Sequence, residues 1–231
     1  MSSQPQRPSV TADEDLAAAI GADRAQMLHL LGADLRPAFE ALFQVDAAMG
    51  DIVARATQPA LGAVKLAWWR ERLEQLDQGI VPAEPRLRAV AQHLLPRGVS
   101  GAELAALEDG WATLLEEQVE AQRIADRGTA LFRLGGRLLG ADDEKLSGAG
   151  AVAALVSVGR RGLPHLLDQA RTHEQALARH RFPRALRPLT ALARLAVRDL
   201  RPGSPFEQEG TPPRVAAMLR HQWSGVVTRG D

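Results

Sequence analysis

Between Gln58 and Gly79 the chain reads "QPALGAVKLAWWRERLEQLDQG", and its apolar residues return at helical intervals. Leu66, Trp69, Leu73 and Leu76 share one helix face, while Leu61, Val64 and Trp68 occupy a neighbouring face roughly 100° round the axis. Two adjoining apolar faces predict a helix buried between several others, with the tandem tryptophans as core residues.

The same grammar runs through the rest of the sequence. Ala, Leu, Arg, Glu and Gln are abundant, tyrosine is absent and β-branched residues do not alternate, which are helix-favouring choices. Thr11 with Glu14, and Ser100 with Glu103, fit capping boxes; Pro37 and Pro59 suit first turns; Gly79 and Gly140 suit left-handed helix ends. The expected class is all-α, with helices over 12–20, 22–31, 36–56, 59–78, 84–95, 101–122, 125–139, 145–160, 163–180, 184–199 and 212–226. The 231 residues suit one globular domain over 11–231, preceded by a polar, Pro- and Ser-rich tail over 1–10. "RPGSPFEQEGTPP" reads as a surface loop before the last helix.

Bulk properties remove several function classes. Lysine plus arginine and aspartate plus glutamate both number 28, so no global field draws the chain onto nucleic acid. The absence of cysteine removes disulfides, thiolate chemistry and cysteine metal sites. The N-terminal stretch has no apolar signal core, and no segment reaches the roughly 18 apolar residues that a membrane span needs. The expectation is a cytoplasmic protein, soluble or peripheral to the inner face of the membrane.

Candidate chemistry is sparse. Asp46 and Asp51, in "LFQVDAAMGDIVARA", are five residues apart and point in different directions round a helix, which makes a poor metal clamp. Glu116 and Glu120 have the i, i+4 spacing that bridging Mg²⁺ requires, but a solvated face paired with Arg123 explains them better. His173 and His180, seven apart on one expected helix face, lack a third ligand. The glycine-rich "LSGAGAVAALVSVGRRG" lacks the strand and the Lys-Ser/Thr ending of a phosphate loop, and reads as small residues at a close helix crossing.

"RPAFEALF" and "QPALGAVKLAWWRERLEQLDQG" resemble the squalene/phytoene synthase family, whose corresponding block is of the kind lG-x-x-RL-x-WWR-x-x-L-x-x-x-x-x-G. Weaker similarity extends over residues 20 to 200. The resemblance implies an isoprenoid-synthase bundle and the residues that would line its cavity: Phe43, Val45, Asp51, Trp69 and Arg160.

The acid motifs depart from that pattern. The first family motif, of the kind Y-x-x-C-R-x-x-D-D-x-x-D, falls on "FQVDAAMGDIVA". Phe43 replaces the tyrosine, Asp46 the cysteine, Ala47 the arginine, Gly50 the first aspartate and Ala54 the last, leaving Asp51 as a remnant. The second falls on "GAVAALVSVGRRGLPH", where Arg160 keeps the arginine while Arg161 and His165 replace aspartates. Departure of diphosphate depends on electrostatic stabilisation by Mg²⁺, so eroding acids on both walls removes many kcal/mol from the transition state.

The resemblance therefore points to a catalytically degenerate branch of the family, the branch that includes the mitochondrial respiratory complex I assembly factor. It implies a non-enzymatic role in respiratory complex assembly or prenyl-lipid binding, with no cofactor. The alternative is an active, Mg²⁺-dependent head-to-head prenyl diphosphate transferase that recruits Asp51 with Glu116 and Glu120.

Overall fold

Helix α1 spans Ala22–Leu28, α2 Arg36–Ala54, α3 Pro59–Leu76, α4 Pro85–His93, α5 Gly101–Ala105 and α6 Asp109–Ala112. They are followed by α7 Ala121–Leu138, α8 Leu146–Gly159, α9 His165–Ala176, α10 Arg187–Asp199 and α11 Pro212–Ser224. The computed structural model describes residues 18–201 and 206–228. Among these there is no sheet, and the protein is all-α, as an isoprenoid-synthase-like bundle requires; only two isolated bridges, Ala178 with Thr228 and Arg181 with Val226, pair extended backbone. The expected tail over 1–10 and the Thr11/Glu14 box lie outside the described residues.

Local signals act where they were expected. Ser100 and Glu103 close a capping box on α5, Pro37 and Pro59 sit in the first turns of α2 and α3, and Gly79 and Gly140 take left-handed φ of 79° and 63°. Asp77, at the end of α3, accepts from the backbone N–H groups of Gly101 and Ala102 at 2.6 and 2.9 Å, satisfying orphan donors at the start of α5.

Helix α8 packs against α7, α9 and α10, which explains why it is apolar nearly all round. Its approach to α7 is as close as the glycine run predicts. A Cβ added to Gly128 would lie 2.2 Å from the carbonyl oxygen of Gly150, and one on Gly150 would meet Gly128 equally closely.

Three expectations need correction. The helix expected over 101–122 is broken: 3₁₀ turns at 106–108 and 113–115 interrupt it, and the chain is non-helical from Glu116 to Glu120. Thr113 Oγ1 accepts from the Glu120 N–H at 2.8 Å, a side-chain bond that competes with helix continuation. Leu61, Val64 and Trp68 are exposed rather than buried, because the helices packed on α3 cover its Leu66, Trp69, Leu73 and Leu76 face only. His173 and His180 do not share a helix, since α9 ends at Ala176 and His180 instead meets Asp143 at 2.8 Å. No helix among the described residues is long and apolar enough to cross a membrane.

Candidate functional site

A cavity of about 260 Å³ opens between α2, α7, α8 and α10, with the segment around Arg24 also on its lining. Its first wall is organised by Asp46, which is fully buried at the middle of α2. Asp46 accepts from Arg24 at 2.5 Å, from Arg127 at 2.6 Å and from the Trp111 indole N–H at 2.9 Å. The two guanidinium groups are supported by rings: Arg24 lies 4.9 Å from the Phe43 centroid and Arg127 lies 3.8 Å from that of Trp111.

Burial by itself would raise the Asp46 carboxyl. The charges of Arg127 and Arg24 and their hydrogen bonds override it and hold the group well below the usual carboxylate range. Asp46 is thus an ionised hub with both oxygens engaged.

The opposite wall carries a second ionic chain. Arg214 binds Asp23 at 2.6 Å and Asp199 at 2.6 Å, and Asp199 in turn accepts from Arg160 at 2.7 Å. Arg160 also donates to the Glu207 carbonyl at 2.5 Å. Arg161, beside it on the cavity lining, is exposed, and its side chain makes no hydrogen bond or ion pair among the described residues.

Of the residues expected at a cavity, Asp51 and Arg160 line this one. Phe43 and Val45 are fully buried in the apolar core with Trp69, and none of the three is on the cavity lining. Asp51 is exposed, and among the described residues its ionic neighbour is Arg55, one helical turn on, at 3.4 Å. Gly50, beside it, lies under Trp111: a Cβ there would sit 2.8 Å from the indole ring. The position therefore has no room for a carboxylate while Trp111 binds Asp46.

Residues 17–127 match the squalene/phytoene synthase family. The matched segment is just under half of the chain; it contains the first wall of the cavity and the "WWR" block, while α8 and, apart from Asp23, the second ionic chain lie beyond it. No curated protein and no solved structure matches the chain.

The Mg²⁺ ions that a squalene/phytoene synthase would use do not fit these residues. Asp46 has both oxygens committed to cations, Gly50 is covered, Asp51 is exposed beside Arg55, and the facing lining carries the cations Arg160 and Arg161. Among the described residues no three acid or histidine side chains converge in a group that could hold a metal ion. Glu116 and Glu120 do not supply a substitute pair, because the helix that would align them is absent; Glu116 instead binds Arg123 at 2.8 Å.

Sequence reasoning missed Arg24, Trp111, Arg127 and Arg214. One local signal was available for Arg127, a charge between Ile124 and Leu131 on the otherwise apolar face of α7. Asp46 carried the matching signal on α2, between Leu42 and Gly50. A charge on a buried face demands a partner, but its identity is not local information.

Proposed function

We propose that this protein is a non-enzymatic relative of the squalene/phytoene synthases that acts in the assembly of a respiratory complex, using the bundle as a binding scaffold. The observation that carries the reading is the packing of Trp111 over Gly50 while its indole and two arginines saturate Asp46. The helix wall that would hold metal and diphosphate is spent on internal structure. A role through a partner protein draws further support from α3, where Leu61, Val64 and Trp68 form an exposed apolar stripe at helical spacing inside the family-like block.

Purified protein incubated with Mg²⁺ and farnesyl or geranylgeranyl diphosphate is expected to release no diphosphate. Release that is abolished by Asp51→Asn would overturn the non-enzymatic reading. Deletion of the gene is expected to lower complex I activity and membrane-arm content, and normal values in the deletion strain would remove the assembly role.

A second reading, prenyl-lipid binding, is favoured by the apolar side of the cavity, where Leu131, Phe132, Leu192 and Leu195 face a lining that also carries arginines. Mass spectrometry of lipid extracted from gently purified protein tests it, and absence of any isoprenoid counts against it.

A further inference from the structure

The C-terminal part of this electrically neutral chain is strongly basic. From Arg179 to Arg220 there are nine arginines, three acids and no lysine. The acids are already used: Asp199 by Arg160 and Arg214, Glu207 by Arg198 and Thr211, while Glu209 lies at the Asp23 backbone. A groove of about 650 Å³ runs between α10 and α11, and Arg194, Arg198, Arg201 and Arg220 are on its lining. Arg220 donates to the Ala216 carbonyl, and Arg181, at the same end of α11, donates to the Trp223 carbonyl, neither of which cancels a charge. Arg201 is exposed and makes no ion pair among the described residues.

The groove is edged by apolar surface. Trp223 is 73% exposed, the most exposed large hydrophobic side chain described, and Leu219, one turn earlier on the same face of α11, is 43% exposed. The backbone beneath is held firmly. Gly225 ends α11 with φ 67°, Phe182 N–H donates to its carbonyl at 2.9 Å, and Arg187 donates to the carbonyls of Gln222 and Trp223. A rigidly mounted tryptophan and leucine flanked by uncancelled arginines have the two components of interfacial membrane binding: an amphipathic aromatic anchor and a field for anionic headgroups.

We propose that the α10–α11 face docks on an anionic phospholipid surface, with Trp223 and Leu219 entering the headgroup region and Arg201 and Arg220 contacting lipid phosphates. Charge complementarity selects this occupant, and the site is separate from both the cavity and the α3 stripe. Its failure would leave the proposed function untouched.

The test is partition of the full-length protein onto phosphatidylcholine vesicles with and without phosphatidylglycerol, read by sedimentation and by tryptophan emission. Binding is expected only with the anionic lipid, weakening with salt, and with a blue shift that Trp223→Phe removes and Trp68→Phe retains. Arg201→Glu/Arg220→Glu is expected to lower partition more than roughly tenfold. Arg86→Glu/Arg88→Glu, the same change of net charge on α4, is expected to retain most of it. The inference is overturned by equal binding to neutral vesicles, by a shift carried by Trp68, or by equal loss in the α4 variant. It is also overturned if anionic vesicles are ignored while polyglutamate binds, which would make the groove a site for acidic peptide. Circular dichroism unchanged from the parent certifies that each variant is folded.

Discussion

Arginine does opposite things in two regions of this molecule. At the cavity, Arg24, Arg127, Arg160 and Arg214 are each bonded to aspartate, and Arg127 and Arg214 are almost wholly enclosed. At the α10–α11 groove, Arg220 and Arg181 bond to backbone carbonyls and Arg201 stands in solvent. The side-chain chemistry is identical. What differs is whether a carboxylate reaches the particular guanidinium, as one does for Arg198 even on the groove, and that decides whether the cation braces the interior or projects a field. At the cavity, Asp46 and Asp199 each serve more than one cation, so most of the charge there is taken up internally.

The sharpest way to break this contrast is at Asp46. Asp46→Ala leaves the buried Arg127 and the partly buried Arg24 without their counter-charge, and a loss of about 3–5 kcal/mol in urea unfolding is expected. A loss below about 1 kcal/mol would mean that the arginines are not structural braces. Next in size is a pH effect beneath the groove. Burial pushes His221 down to about 4 from an ordinary 6.5, while the ring bonds Thr190 Oγ1 at 2.9 Å and the Val226 carbonyl at 3.2 Å. The unfolded chain therefore takes up the proton first, so this stabilisation is complete above the unfolded value and is lost as pH falls towards the folded one. The change amounts to at most ~3 kcal/mol. Urea unfolding followed across that interval should show the decline, and His221→Gln should flatten it.

Gly50→Asp sharpens the comparison from the steric side. It places a second acid beside Asp51, but the new side chain meets Trp111, so a destabilisation of roughly 1–3 kcal/mol is expected, with no diphosphate release in the prenyl diphosphate assay. Smallest of all is Asp51→Asn. The group is exposed beside Arg55, and thermal unfolding should move by less than the equivalent of ~0.5 kcal/mol. A larger drop would place Asp51 in the internal network and blur the line between the two regions.

Much of the bundle was legible in residue order because its signals are local. The capping box at Ser100, the prolines at the starts of α2 and α3, and the glycines at 79 and 140 act over a few residues, and the structure uses each as written. The close α7–α8 crossing was foreshadowed by the glycine run, since only a missing Cβ permits that approach. Where the reading failed, a non-local competitor decided. Thr113 reaches Glu120 and ends a helix that periodicity continued, and Leu61, Val64 and Trp68 look like core until the neighbours of α3 are seen to lie on its other side.

The candidate site divides in the same way. The sequence by itself determined which side chains are available, because Asp46, Gly50, Asp51 and Arg161 are identities that no folding can alter. Only the tertiary structure decided what became of the remaining charges. Asp46 finds Arg24, Trp111 and Arg127 at sequence separations of 22, 65 and 81, and Arg214 finds Asp23 at 191. The physical reason is that a side chain's chemistry belongs to its residue, whereas its solvation and its counter-charge belong to whatever the packed helices bring beside it.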